Sequence, residues 1–404
     1  MTANLPAAEE VATGLLTDDL MVEILSRLPA RSVNRFKCVS PSWRDLIADT
    51  AHRKKLPQTI AGFLYNTYSR VDSRFHKFHF ASVSAGAAPP LDPSLPFLPP
   101  DEYLYVVQLD TCNGLLLCLA HMAHSSPSST EEDMLDSHYI VCNPATGRWV
   151  DLPPHPKVPA RFMSRLAFDP AVSSHFHVFQ FAKAGQEEYI TEVNIYSSQT
   201  GSWNHNKTRP VEKFNLCFGL TGVLFHGMLH LLGWLHPMDV QADSVLVAVD
   251  MEGQVWNTMR VPSGGISVGK IGLSQGCLHY ATTPLVGSQN KSKSNKKKKR
   301  EVKEDTSPPT MTASLWYMKD YDSKEWVLKH TVSNDELWRD YKVAAIHPDC
   351  DTIFLDSCES DTLASYDMQR RKFHHILHLE ENRAWQILPY VPLFSDSFAG
   401  ADGQ

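Results

Sequence analysis

Two rhythms of apolar and polar positions divide the chain. Between residues 16 and 47 large apolar side chains recur at helical spacing. Leu20, Ile24, Leu25 and Leu28 fall on one stripe of a 3.6-residue repeat. Thr17 stands where a capping side chain is needed, and Asp18 and Asp19 follow in the first turn, where the helix dipole favours negative charge. Pro29 ends this helix, because the residue before a proline resists helical angles. Ser32 is placed to cap a second helix carrying Val33, Phe36 and Val39. Ser40-Pro41-Ser42 breaks the chain, and a third helical stretch holds Trp43, Leu46 and Ile47. Beyond residue 60 the helical rhythm gives way to short β-rich runs between turn signals, which predicts an all-β domain.

One unit recurs through that second part: a strand, a turn rich in Asp, Gly or Ser, and an aromatic on the returning strand. It ends in turn at Trp149, Trp203, Trp256, Trp326 and, in a weaker copy, Phe373. Each copy has an apolar hairpin upstream, at 112–118, 165–181, 222–232, 270–281 and 343–356. Two hairpins make a four-stranded sheet, and a repeat of roughly 50 residues with four strands is the mark of a β-propeller blade. The aromatic is expected to pack between neighbouring blades, since one sheet cannot bury both faces alone. A poorer copy lies at 59–100, and the C-terminal AWQILPYVPLF can lend it a strand and close the ring. The expected architecture is a small all-α module at 15–57 followed by a β-propeller of about six blades over 58–394. A disordered leader (1–14) and a tail (395–404) flank them.

A helical module this short has little room to close a core around so many large side chains, so its spare apolar face is expected to dock on a partner. The pieces Ile24-Leu25, Leu28-Pro29, Phe36-Lys37-Cys38-Val39 and Trp43-Arg44-Asp45-Leu46-Ile47, after the acidic helix start, resemble an F-box in order and spacing. The family usually places Leu-Pro before the first helix, where this chain has Leu16-Thr17. The segments CNGLLLC, NPATGRW, AFDP and YSSQTGSW resemble the F-box-associated, kelch-like β domain of plant F-box proteins. The resemblance implies a substrate-recognition subunit of an SCF-type ubiquitin ligase. Its adaptor-binding residues would be Leu16, Leu20, Ile24, Leu25, Leu28, Pro29, Val33, Phe36, Val39, Trp43, Leu46 and Ile47. Its partners would be a Skp-family adaptor, through it cullin and RING subunits, and a protein target whose binding residues are unknown. The alternative is a propeller enzyme or ligand-binding protein with a helical cap.

Charge refines this picture. The chain carries a net charge of −7 over 404 residues. Residues 291–300 alone hold seven basic side chains and no acid, so the remainder carries twice that negative charge. An acidic body argues against a broad nucleic-acid surface. The run Lys296, Lys297, Lys298, Lys299, Arg300 sits in a low-complexity insert, 287–310, expected to be disordered. A compact basic run there fits a nuclear-import signal, giving a nuclear or cytoplasmic expectation. Residues 84–102 and 123–137, rich in Pro, Ser and Ala, read as loops. No apolar run reaches the roughly 20 residues that span a bilayer. The eight cysteines form no Cys-x-x-Cys pair and read mostly as buried free thiols.

Candidate chemistry is thin. His374 and His378 are four apart, but strand side chains alternate, so they make no helix-borne chelate. No His-Glu-x-x-His, Gly-x-Ser-x-Gly or phosphate loop occurs, so no catalytic residue, metal or cofactor is expected.

Overall fold

The computed structural model describes residues 17–28, 33, 36, 39–49, 52, 60–68, 76–83, 91–122, 137–155, 163–183, 186–208, 212–217, 219–237, 244–262, 269–283, 312–333, 341–357, 359–380 and 383–393. The leader, Leu16, Pro29, the Ser32 cap, the loop at 123–136, the basic run 296–300 with its insert, and the tail lie outside them.

Two helices are complete among the described residues: α1 (Asp18–Ser26) and α2 (Pro41–Ala48). Thr17 caps α1, accepting from Leu20 N at 3.4 Å, and Ser40 caps α2, accepting from Trp43 N at 3.2 Å. Val33 and Phe36, between them, are also helical.

The rest is a ring of six sheets. The first blade joins β1 (Gly62–Tyr68) and β2 (His76–Ser82) to the last strand, β24 (Arg383–Tyr390), in the order β2-β1-β24. The second runs β3 (Tyr103–Cys112), β4 (Leu115–Met122), β5 (Ser137–Asn143), β6 (Arg148–Asp151). The third runs β7 (Met163–Ala167), β8 (His177–Ala182), β9 (Glu192–Ser197), β10 (Ser202–Lys207). In the fourth, β11 (Phe214–Leu216) and β12 (Val223–Phe225) both pair with β13 (Met228–Leu235), followed by β14 (Ser244–Asp250) and β15 (Trp256–Arg260). The fifth runs β16 (Lys270–Ser274), β17 (Cys277–Thr282), β18 (Thr312–Asp320), β19 (Glu325–Ser333). The sixth runs β20 (Tyr341–Ile346), β21 (Thr352–Ser357), β22 (Thr362–Asp367), β23 (Lys372–His378).

Closure is visible in the core. Leu64 and Leu388 of the first blade pack with Leu116 and Ile140 of the second. Leu117 and Val141 meet Leu166 and Val178, and Phe179 and Ile195 meet Phe214 and Val247. Leu246 and Met259 meet Leu278 and Tyr280, and Leu315 meets Ile353 and Leu355. Phe354 and Leu363 of the sixth blade return to Phe63 and Ile387 of the first. Each sheet therefore buries both faces, one against each neighbour.

The repeated aromatics stand between blades. Trp203 reaches back to Tyr139, ring centres 5.7 Å apart, and donates from Nε1 to Pro153 O at 3.0 Å. Trp256 lies 6.2 Å from Phe181 across the next seam, and Phe373 lies 5.8 Å from Tyr341 within the cluster shared by the fifth and sixth blades.

Three expectations need correction. The first blade is three-stranded among the described residues. Its β2 ends beside Gly62, and residues 91–102, ahead of β3, form no strand. As expected, this stretch is a loop, and Leu91, Leu95 and Leu98 anchor it between the first and second blades. The innermost strand of the fourth blade is split into β11 and β12, so its hairpins are not regular. Cys350 is exposed, whereas Cys118, Cys142 and Cys217 are buried free thiols.

Candidate docking surfaces and an axial cavity

The helical module closes a small core of its own, against the expectation that it could not. Met21, Val22 and Leu25 of α1 pack with Val33 and with Leu46 and Ile47 of α2, and Leu28, Phe36 and Trp43 lie half-buried on this cluster. Phe36 and Trp43 rings are 5.2 Å apart. The single stripe expected on α1 is therefore two. Leu25, Val33, Leu46 and Ile47 face inward and support the surface rather than form it. Leu20, Ile24 and Val39 remain outside, 50%, 49% and 61% exposed. Leu20 and Ile24 are one turn apart and form a continuous apolar strip. Fully burying an aliphatic side chain of this size is worth about 1.5–3 kcal/mol. This strip and Val39 are the module's unused large apolar surface among the described residues.

The ring has two unlike faces. Within the second to sixth blades, the turns after the first and third strands are short, as at 113–114, 144–147, 226–227, 275–276 and 321–324, apart from the longer turn 168–176 in the third blade. Left-handed backbone gathers there: Asn113, Gly114, Gly147, Gly201, His226, Gly227, Gly253, Gln275, Gly276, Lys324 and Arg371 all have positive φ, as tight hairpins require. The opposite face receives the connections 123–136, 152–162, 236–243, 283–311 and 334–340. The chain joins the ring from the helical module on the tight-turn side, where Ala61 N donates to Tyr390 O at 2.9 Å.

At the axis, charged side chains converge. Asp110 on β3, Arg165 on β7 and Lys270 on β16 are all buried, and Asp110 influences the ionisation of both cations. Burial pushes the Asp110 carboxyl up to about 6, against the opposing pull of Arg165. Its Oδ1 accepts from Thr111 N and its Oδ2 from Leu166 N, both at 2.9 Å. Burial draws the Lys270 ammonium down to about 8, with Asp110 opposing.

Beside this cluster, where β5 and β7 begin, lies a cavity of ≈ 240 Å³. Leu109, Leu119 and Met163 give it an apolar wall, while Ser164, Arg165 and Gln386 also line it. A row of polar side chains runs outward from it across the third blade. Ser164, Gln180, Asn194 and His205 are direct cross-strand partners on four successive strands. His205 Nδ1 lies 2.7 Å from Asn194 Oδ1, and Asn194 Nδ2 donates to Gln180 Oε1 at 2.8 Å. Gln180 Nε2 donates to Tyr139 Oη at 3.1 Å, and Tyr139 Oη lies 2.7 Å from Ser164 Oγ. All the donors can point toward the cavity in one direction.

A linear search for catalytic spacings does not find these groups. Their signal was a polar residue at the centre of an otherwise apolar strand, as in HVFQFA, EVNIYS and YLYVVQLDTC. His374, by contrast, is exposed and lies 3.3 Å from Asp367 Oδ2, away from this site.

Comparisons with known proteins agree with this two-part build. Residues 15–55 match the F-box domain family. Residues 93–267 match the family described as "F-box protein At3g26010-like, beta-propeller". F-box protein At5g07610 of Arabidopsis thaliana is 30% identical over 200 residues, which cover 46% of this chain and 44% of that protein. F-box protein At3g26010 of the same plant is 26% identical over 387 residues, covering 91% and 80%, and putative F-box protein At2g16220 is 22% identical over 339 residues, covering 80% and 74%. The chain thus spans less than half the length of the first relative and most of the other two. With an F-box domain matched over 15–55 and an F-box-protein β-propeller over 93–267, in this order, the chain belongs to the F-box proteins that carry a β-propeller.

Proposed function

We propose that this protein is a substrate receptor of an SCF-type ubiquitin ligase. Its helical module docks on a Skp-family adaptor, which links it to cullin and RING subunits, and its propeller holds a protein target. Ubiquitin transfer then needs no chemistry from this chain, because holding a target beside the conjugating enzyme supplies the proximity. The observation that carries the adaptor contact is the outward strip of Leu20 and Ile24, on a module whose other described large apolar side chains, Val39 apart, are engaged in its own core. The long-connection face of the ring is the target side. Connections of differing length join the strands on that face, and the chain enters the ring at the opposite one, at Ala61.

Replacing both Leu20 and Ile24 by Asp tests the adaptor contact without touching the core. Co-expressed with a Skp-family adaptor, the parent chain is expected to co-purify with it and the double variant to lose at least 90% of that adaptor, roughly the tenfold weakening that ~1.4 kcal/mol produces. Undiminished capture by a correctly folded double variant would falsify the docking assignment. The run Lys296–Arg300 is proposed as the nuclear-import signal. Changing Lys297, Lys298 and Lys299 to Ala should shift a fluorescent fusion toward the cytoplasm, and an unchanged distribution rejects the assignment.

A further inference from the structure

We propose that the axial cavity binds a small molecule with a carboxylate head and an apolar body. Arg165 lines the cavity and is 4% exposed. Its Nη1 donates to Ser164 O at 2.7 Å and its Nη2 reaches Cys217 O at 3.5 Å, both neutral carbonyls. Its Nε has no partner. The nearby carboxylate of Asp110 does not fill this role: its oxygens accept from Thr111 N and Leu166 N, and the bonds from Arg165 go to Ser164 O and Cys217 O instead. A buried guanidinium with an unpartnered donor and no hydrogen-bonded anion is costly, and a planar carboxylate is the group its fork matches best. Lys270 adds positive potential from the far side of the axis.

The remaining lining sets the rest of the ligand. Ser164 and Gln386 offer hydrogen bonds near the head, and Leu109, Leu119 and Met163 give an apolar wall for a short aliphatic or aromatic body. A volume of ≈ 240 Å³ sits at the small end of ligand cavities, which selects a compact acid over a long one. The split strand of the fourth blade contributes Gly219 to this lining, so the irregularity there borders the site.

The test uses the full-length chain with methyl-labelled methionine, titrated with hexanoate and phenylacetate and, in parallel, with their uncharged amides. Both acids should move the Met163 methyl resonance and bind at least tenfold more tightly than the amides. Arg165→Met should erase that preference. Should this variant fail to fold, the acid-to-amide comparison on the unsubstituted chain decides alone. Equal binding of acids and amides, a silent Met163 signal, or no binding by any of the four overturns the proposal and leaves a water-filled space. A short Asp/Glu peptide that moves Met163 while both small acids stay silent also overturns it, and reassigns the carboxylate to a protein target. The inference stands apart from adaptor docking: the Leu20→Asp/Ile24→Asp variant should bind the acids as the parent does.

Discussion

At the scale of single residues, two buried titrating groups pull stability in opposite directions over the same pH range. Asp110 ionises near 3.8 in the unfolded chain and at about 6 in the folded one. Between those values unfolding releases a proton, so raising the pH through this window lowers stability on its account. His230 is the reverse. Burial holds it down to about 4 from 6.5, while its Nδ1 donates to Met228 O at 3.0 Å and its Nε2 lies 2.8 Å from the Tyr321 hydroxyl. Its contribution is present above 6.5 and is lost as the pH falls toward 4. Each shift corresponds to about 3 kcal/mol at full extent. Urea unfolding at pH 4 and pH 7 should therefore show Asp110→Asn gaining stability relative to the parent as the pH rises, and His230→Phe losing it. Parallel profiles for parent and variants would show that neither group titrates as its surroundings dictate. None of this was legible in the sequence. Asp110 and His230 look like ordinary strand residues until the ring brings other blades against them.

At the scale of elements, legibility follows repetition. The five aromatic-bearing hairpins could be read directly, because the same packing need recurs and selects the same residue types. The first blade was faint for a physical reason. Among the described residues its β2 brings no aromatic to the seam with the sixth blade, where Ala81 and Val83 pack instead, and Phe80 turns to Tyr390 on the other side. The polar row across the third blade was invisible because cross-strand register is not written in spacing. That row makes its own prediction. Gln180→Leu leaves Asn194 Nδ2 without an acceptor and Tyr139 Oη without a donor, at a cost of about 2–4 kcal/mol. Asn194→Leu should cost a similar amount, because it strands Gln180 Oε1 and His205 Nδ1. The double variant should cost clearly less than the two together, since both members of one bond are gone. Additive losses in chemical denaturation would mean the row does not act as a unit.

At the scale of the whole molecule, the ring depends on its final strand. β24 pairs with β1 from Gly62↔Tyr390 onward, and the chain beyond it stays attached. Asn143 Nδ2 donates to Leu393 O at 2.8 Å, and Thr111 Oγ1 donates to Pro389 O at 2.7 Å. Gly114, with φ +91, leaves room for this segment, as a Cβ there would lie 2.3 Å from that of Leu393. A chain ending at Asn382 should lose its cooperative thermal transition and aggregate, whereas one ending at Phe394 should melt within a few degrees of the parent. A truncated chain that melts cooperatively would show that the seam is dispensable. The two-part plan itself was legible, because helical and strand rhythms differ. What the sequence left open was the inward or outward sense of each α1 position, which only the closed helical core decides. Translation gives the seam a genetic meaning. A premature stop at or shortly before the codon for Arg383 would spare the helical module and destroy the ring. Under the function proposed above, such an allele would act as a competitor, occupying the ligase while delivering nothing to it.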